Sequence, residues 1–236
     1  MQRKLARTPP AASHNPRFHP DLTSRYSPAS GWRQPVIAPI RRVGDMNVLE
    51  LFHGPTFAFK DVALQLLGRF FDFALRKRHA RMTILGATSG DTGSAAIAAV
   101  KGRANISCAM LFPLGKTSRI QELQMTTNLE PNIHCLAVRN SVFDDCQTIV
   151  KECFSDARFN AEMCLGAVNS INWCRILAQI VYYVYAAARS DGPVSFVVPT
   201  GNFGNVLAGY ARVVRLSFSL HIAAPPLLQQ PPHTFI

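Results

Sequence analysis

Between residues 36 and 215 the sequence alternates between short apolar runs, typical of buried strands, and longer runs with helical periodicity. The apolar runs predict strands over 82–87, 106–113, 134–138 and 195–199. The periodic runs predict helices over 61–78, 92–101, 118–127, 143–154 and 173–189, and a further helix begins at 204–205. Because the strands carry apolar residues at successive positions, we expect an open parallel α/β sheet covered on both faces. Ligands of such sheets bind beyond the carboxyl ends of the strands.

The two ends of the chain depart from this alternation. Residues 1–35 contain six prolines and six basic residues with one acid, which predicts a disordered leader or, alternatively, an organellar transit peptide. Residues 216–236 have no formal charge and contain two Pro-Pro pairs. We expect no strand there, so the segment is interpreted as a divergent tail and the α/β domain of residues 36–215 as partial.

Charge, hydropathy and cysteine usage narrow the class of protein. The net charge is +11, but the densest basic cluster, 76–78, lies at the end of a predicted helix, where cations suit the helix dipole. We therefore expect neither nucleic-acid binding nor a membrane span, since the longest apolar run covers only 176–188. Six irregularly spaced cysteines without a C-x-x-C pair indicate free thiols in a reducing compartment and no metal site. The cytoplasm is the expected location, with mitochondrion or plastid as the alternative if the basic leader is a targeting signal.

One lysine stands in an unusually apolar segment. In the run HGPTFAFKD at 53–61, Lys60 follows Phe57, Ala58 and Phe59 and immediately precedes a predicted helix. Most lysines are solvated surface residues, but an amine that is partly withdrawn from water becomes a good nucleophile toward aldehydes. Lys60 is therefore the candidate catalytic nucleophile.

Two loops rich in small residues connect a predicted strand to a predicted helix. In GATSGDTG at 86–93, backbone N–H groups at the helix start can bind an anion, with the hydroxyl groups of Thr88, Ser89 and Thr92 as further donors. PTGNFGN at 199–205 repeats the arrangement. Either loop alone could be an ordinary turn, but together with Lys60 they suit pyridoxal phosphate (PLP), a phosphorylated aldehyde, and an anionic substrate. The aromatic residues of the last long helix, Trp173, Tyr182, Tyr183 and Tyr185, are interpreted as helix core.

Five motifs carry a resemblance to a known family. LELFHGPTFAFKD at 49–61, GATSGDTGSAAI at 86–97, QELQMTT at 121–127, AVNSINW at 167–173 and VVPTGNFGN at 197–205 resemble threonine synthases of fungi and many bacteria. The resemblance covers about residues 36–214. It implies fold type II of the PLP enzymes, similar to the tryptophan synthase β-subunit, with an incomplete large domain.

The resemblance also implies roles for individual residues. Lys60 matches the lysine that binds PLP covalently and moves protons. The residues that match the loop holding the cofactor phosphate are Gly201, Asn202, Phe203, Gly204 and Asn205. Those expected to face the substrate amino acid are Ser89, Gly90, Asp91, Thr92 and Gly93, with Asn169 nearby. The candidates for binding the substrate phosphate are Lys116, Ser118 and Arg119, for which a capped surface helix start is an equal alternative.

The implied reaction converts O-phospho-L-homoserine and water to L-threonine and phosphate, without a metal. Two alternatives remain open. The chain could be a catalytically inactive, truncated product, or it could be a phospholyase acting on O-phosphothreonine or O-phosphohomoserine.

Overall fold

The structure is a computed structural model that describes residues 32, 36–168, 172–190, 194–199, 203–215 and 220–223. Its strands are β1 (Ile40–Val43), β2 (Met46–Leu49), β3 (Met82–Ala87), β4 (Ile106–Pro113), β5 (Ile133–Val138), β6 (Leu165–Gly166), β7 (Val194–Val197) and β8 (Leu220–Ala223). Its helices are α1 (Lys60–Arg78), α2 (Asp91–Val100), α3 (Arg119–Thr126), α4 (Phe143–Ser155), α5 (Ala157–Met163), α6 (Trp173–Ala187) and α7 (Gly204–Arg215).

The central sheet is parallel, as the apolar strand pattern predicts. Its order is β5-β4-β3-β6, with Met82 opposite Ile106 and Cys108 opposite Ile133. Strand β4, in the interior of the sheet, is buried along most of its length. A second parallel pair joins β7 to β8, and β1 and β2 form an antiparallel hairpin. The prediction of an open parallel α/β fold is therefore confirmed.

Most predicted elements are present within two residues of their expected ends, but several were missed. The prediction that no strand follows the last helix is wrong, because Leu220–Ala223 pairs in parallel with β7. Apolar and polar residues alternate over 216–222, which is the strand signal that the absence of charge and the Pro-Pro pairs obscured. The β1–β2 hairpin, α5 and β6 were also not predicted, although Gly44-Asp45 is a hairpin-turn pair.

Helix α1 connects two apolar cores. Leu64 and Leu67 pack into the first core with Ile84, Ile97 and Phe112. Val62 lies nearer the start of the helix and packs into a second core. The other buried members of this core are Trp32, Ile176, Tyr182, Tyr183, Val198 and Ala208. Of the predicted leader, residues 1–35, the structure describes only Trp32, and the rest lies outside the described residues. Lys60, the first residue of α1, lies at the end of the helix that packs into the second core.

The loop before α1 is held by one buried carboxylate. The two oxygens of Asp61 accept hydrogen bonds from the Thr56 backbone N–H, at 2.8 Å, and from the Thr56 hydroxyl, at 2.7 Å. Asp61 has no exposed surface, and this burial raises the pKa of its carboxyl above the ordinary value of 3.8, against the opposing effect of the Thr56 hydrogen bonds. The carboxylate therefore fixes the backbone that delivers Lys60.

Gly68 allows α1 to lie close to α2, and its replacement by alanine should destabilise the fold. A Cβ at position 68 would be 2.5 Å from the carbonyl oxygen of Ala99, a backbone atom that cannot rotate away. Alanine gains about 1 kcal/mol of helix propensity, but overpacking costs typically 1–3 kcal/mol or more. Because the obstructing atom belongs to the backbone, the overpacking cost should lie in the upper part of that range, about 2–3 kcal/mol, so we expect Gly68→Ala to lower the free energy of unfolding by about 1–2 kcal/mol in urea titrations. Ala74→Gly, a substitution at an exposed site on α1, measures the effect of helix propensity alone. A Gly68→Ala variant more stable than the wild type would contradict the close approach of α1 to α2.

The buried carboxyl of Asp61 should give the protein a distinctive pH dependence. Because its pKa is raised in the folded state, the native protein holds this proton more tightly than the unfolded chain. The stability of the wild type relative to Asp61→Asn should therefore fall as pH rises from 3.8 through the raised pKa of Asp61, and be constant beyond it. The variant exchanges one acceptor oxygen for an amide N–H that can donate to the Thr56 hydroxyl, and the cost of this exchange, at most about 1 kcal/mol, does not depend on pH.

Urea titrations of both proteins between pH 3 and pH 7 measure this difference. Asp45→Asn, which removes an exposed carboxylate in the β1–β2 turn, controls for the loss of one negative charge. A wild-type advantage that grows with pH would contradict the raised pKa.

Candidate functional site

Lys60 lies where the first turns of α1 and α2 meet. Its side chain is 12% exposed, and its Nζ donates to Asp91 Oδ2 at 3.2 Å. The same Nζ lies 5.1 Å from the centre of the Phe59 ring. Asp91 is the first residue of α2, where a carboxylate is favoured by the helix dipole. The structure thus brings together the candidate nucleophile and one of the residues expected to face the substrate.

A chain of hydrogen bonds continues from Asp91 to the start of α3. The second carboxylate oxygen of Asp91 accepts from Gln121 Nε2, and Gln121 Oε1 accepts from the Ser118 hydroxyl at 2.9 Å. Ser118 also caps α3 by accepting from the Gln121 backbone N–H. Sequence reasoning predicted the Ser118 cap and quoted the motif containing Gln121, but assigned Gln121 no role. A glutamine three residues after a serine cap was the available signal.

The 88–93 loop is braced from inside by Thr88. The Thr88 hydroxyl oxygen accepts from the backbone N–H groups of Gly90 and Gly93, both at 2.9 Å, and the residue is buried. Thr88 therefore faces inward rather than toward a ligand, which differs from its sequence-based grouping with Ser89 and Thr92. Gly90 has φ +149, and a Cβ there would collide with the Gln121 side chain. Ser89 and Asp91 are exposed, and Thr92 is half-buried.

The second loop is described from Phe203 onward. Helix α7 begins at Gly204, Phe203 is exposed, and the predicted residues Gly201 and Asn202 lie outside the described residues, as does Asn169. The phenolic groups of Tyr182 and Tyr183 both donate to Asn205.

Helix α6 links the lysine helix to this loop, since it packs against both α1 and α7. Tyr182 and Tyr183 are buried, as the sequence predicts for helix core. Trp173 and Tyr185 depart from this prediction, since Trp173 is 53% exposed and Tyr185 is half-buried. Burial raises the pKa of Tyr183 to about 12 and that of Tyr182 well above 10, so both phenols stay protonated donors.

At the other end of α6, buried Arg175 donates to the carbonyl oxygen of Val168 at 3.1 Å. Val168 directly precedes Asn169 in the sequence. Desolvation lowers the pKa of this guanidinium.

The candidates for binding a substrate phosphate share the segment between β4 and α3. Lys116, Ser118 and Arg119 are all exposed. Of these three, Ser118 is connected to Lys60 through Gln121 and Asp91.

A cavity of about 490 Å³ opens beside the end of β3, lined in part by Gly86, Thr92, Phe154 and Val168. Among the predicted site residues that the structure describes, Thr92 alone lines it.

Two features are absent from the described part of the chain. No helix there is long and apolar enough to span a membrane. No group of three or more His, Cys, Asp or Glu side chains there is arranged to hold a metal ion.

Comparison with known proteins gives consistent matches. Residues 48–226 match the model of a family described as pyridoxal-phosphate dependent enzymes. The threonine synthase of Schizosaccharomyces pombe is 53% identical over 196 residues, which are 77% of this chain and 38% of that protein. The threonine synthase of Pseudomonas aeruginosa is also 53% identical, over 80% of this chain and 41% of that protein.

A solved structure agrees with these matches. The PLP-bound threonine synthase from Brucella melitensis superimposes with a TM-score of 0.78 at 45% identity, covering 86% of this chain and 45% of that one. The chain spans about two fifths of the length of the curated relatives that it matches. The resemblance to threonine synthases is confirmed, and the chain belongs to the family of pyridoxal-phosphate dependent enzymes.

Proposed function

We propose that the protein carries the PLP-dependent lyase activity of a threonine synthase, which converts O-phospho-L-homoserine and water to L-threonine and phosphate. The observation that carries the proposal is the Lys60–Asp91 contact at the meeting of two helix starts, inside two motifs shared with threonine synthases. The similarity of three quarters of the chain to threonine synthases supports the choice of reaction within the family.

The described residues fit PLP. Lys60 presents a mostly buried primary amine beside Phe59 and a carboxylate, which suits covalent attachment of an aldehyde next to an apolar ring. At the start of α7, Asn205 has a backbone N–H and a side-chain amide that suit a phosphate, and Gly204 has no side chain to keep an anion from the helix start. Lys60 would hold the aldehyde end, and residues 201–205 would hold the phosphate.

Bound PLP supplies an electron sink that stabilises negative charge at the α-carbon of an attached amino acid. The chain's own residues then have defined tasks. Lys60 Nζ carries protons to and from the substrate carbon atoms, and Asp91 orients that amine through their 3.2 Å contact. Gln121 and Ser118 hold Asp91 in place.

The substrate is an amino acid with a phosphate at its far end, so it needs two anion sites. We assign its carboxylate to the loop formed by Ser89, Gly90, Asp91, Thr92 and Gly93, at the positive end of α2, with Asn169 nearby. We assign its phosphate to Lys116, Ser118 and Arg119, which are exposed and can reach a dianion with charge-assisted hydrogen bonds.

A reducing compartment, either the cytoplasm or the interior of a mitochondrion or plastid, forms part of the proposal. All six cysteines are free thiols, and burial raises the pKa of the Cys108 thiol to about 12, which keeps that sulfur unreactive.

Covalent trapping of the cofactor tests the assignment of Lys60. The purified chain is mixed with PLP, its absorbance is recorded, and the adduct is reduced with borohydride and located by mass spectrometry. We expect labelling at Lys60 and its loss in Lys60→Ala, because this amine alone, among the lysines that the structure describes, is partly withdrawn from water. Lys77→Ala, an exposed lysine on the same helix, should label like the wild type.

The substrate assignment is tested by phosphate release from O-phospho-L-homoserine, with threonine measured in the same samples. Threonine formation supports the proposal, whereas release of phosphate without threonine, or from O-phosphothreonine, would indicate a phospholyase. PLP labelling spread over several lysines with no phosphate release would indicate a catalytically inactive product and overturn the proposal.

A further inference from the structure

Two buried hydroxyl groups of α6 converge on one residue at the start of α7. Tyr183 donates to the Asn205 backbone carbonyl at 2.9 Å and to its Oδ1 at 3.1 Å, and Tyr182 donates to the same Oδ1. Tyr182 also lies 3.3 Å from Gln179 Oε1 on its own helix. Asn205 is therefore held through both its backbone and its side chain.

These hydroxyl groups are not required to fill space. Tyr182 and Tyr183 are 3% and 2% exposed, and their rings pack in the second apolar core, with Tyr183 edge-on to Phe196 at 4.9 Å. A phenylalanine ring would fill nearly the same volume, and burying a hydroxyl group costs free energy unless it finds a partner. The hydroxyl groups therefore act through their contact with Asn205.

The contact orients the atoms that an anion would meet. Because Asn205 Oδ1 accepts from the phenols, the Nδ2 amide occupies the other branch of the side chain, away from the two tyrosine hydroxyl groups. The bond to the Asn205 carbonyl fixes the direction of the first turn of α7, the end of the helix that attracts an anion. The rings of Tyr182 and Tyr183 also pack in the second apolar core with Val198, which precedes this loop, and with Ala208, which follows it. The two tyrosines therefore support both ends of the loop.

We infer that Tyr182 and Tyr183 are positioning residues for the phosphate-binding loop, holding Asn205 and the start of α7 in the geometry that receives the phosphate of PLP. The inference rests on the proposed function, in which residues 201–205 bind that phosphate. Neither tyrosine contacts the ligand in this arrangement, since both act through Asn205.

The first experiment measures the loop without any ligand. Amide hydrogen exchange is followed by mass spectrometry in the unliganded wild type, Tyr183→Phe and Tyr182→Phe/Tyr183→Phe. We expect about fivefold faster exchange in Tyr183→Phe for the hydrogen-bonded amides at the start of α7, beginning with Leu207, because one net hydrogen bond changes a local opening equilibrium by about this factor. Tyr185→Phe is the matched control, because Tyr185 lies on the same helix but stacks on Arg189 instead.

The second experiment compares PLP with pyridoxal, which has the same aldehyde and ring but no phosphate. Both form the same covalent bond with Lys60, so the ratio of their dissociation constants isolates the phosphate contact. Tyr183→Phe should weaken PLP binding about fivefold and the double variant up to about thirtyfold, with pyridoxal binding unchanged within about twofold. Tyr185→Phe should leave both constants unchanged.

The outcomes separate this inference from the proposed function. Equal weakening of PLP and pyridoxal, or variants with wild-type exchange at α7, would overturn the positioning role while leaving Lys60 as the PLP residue. A wild-type chain that binds neither compound at Lys60 would overturn the proposed function, and the phosphate role of the tyrosines with it.

Discussion

The contact between Lys60 and Asp91 is the interaction on which the site depends. Each residue is the first of its helix, and the two helices pack closely at Gly68 and Ala99. A cation at a helix start is disfavoured by the helix dipole, and a carboxylate there is favoured, by about 0.3–1 kcal/mol each. Asp91 therefore offsets the unfavourable position of Lys60. Because Asp91 is 47% exposed, the pair contributes little net stability, and its value lies in orienting the amine.

The fold was largely predictable because its central strands are uninterrupted apolar runs and its helices follow them in order. Strands 82–87 and 106–113 were predicted with their observed ends, since an uninterrupted apolar run has clear limits. The β1–β2 hairpin was missed because it is mostly exposed, and β8 because its alternating pattern lies in an uncharged segment followed by Pro-Pro pairs. Short strands are defined by their pairing partners, which a linear pattern does not contain.

The site was predictable only in its glycine-rich loops and its lysine. The residues expected to face a ligand lie in recognisable motifs, whereas Gln121 and Tyr183 are ordinary helix residues until the fold brings them beside Asp91 and Asn205. The Gln121–Asp91 contact joins residues that are 30 apart in sequence, and the Tyr183–Asn205 contact joins residues that are 22 apart. No local sequence pattern encodes contacts over such separations. Thr88 differs from its prediction in the opposite way. The sequence places it in the loop between β3 and α2 and predicts a hydroxyl group that faces a ligand, but in the structure this hydroxyl group faces inward.

These supporting residues follow from the chemistry of the loops. A loop that binds an anion through backbone N–H groups must have small side chains, so that the ligand can approach closely. Small side chains make few packing contacts, and the loop then has little to hold its own shape. The rigidity has to come from polar contacts with neighbouring elements, made by Thr88 and Gln121 for the first loop and by the two tyrosines of α6 for the second. Because these partners lie behind the loops, they hold the geometry without occupying the space that the ligand needs.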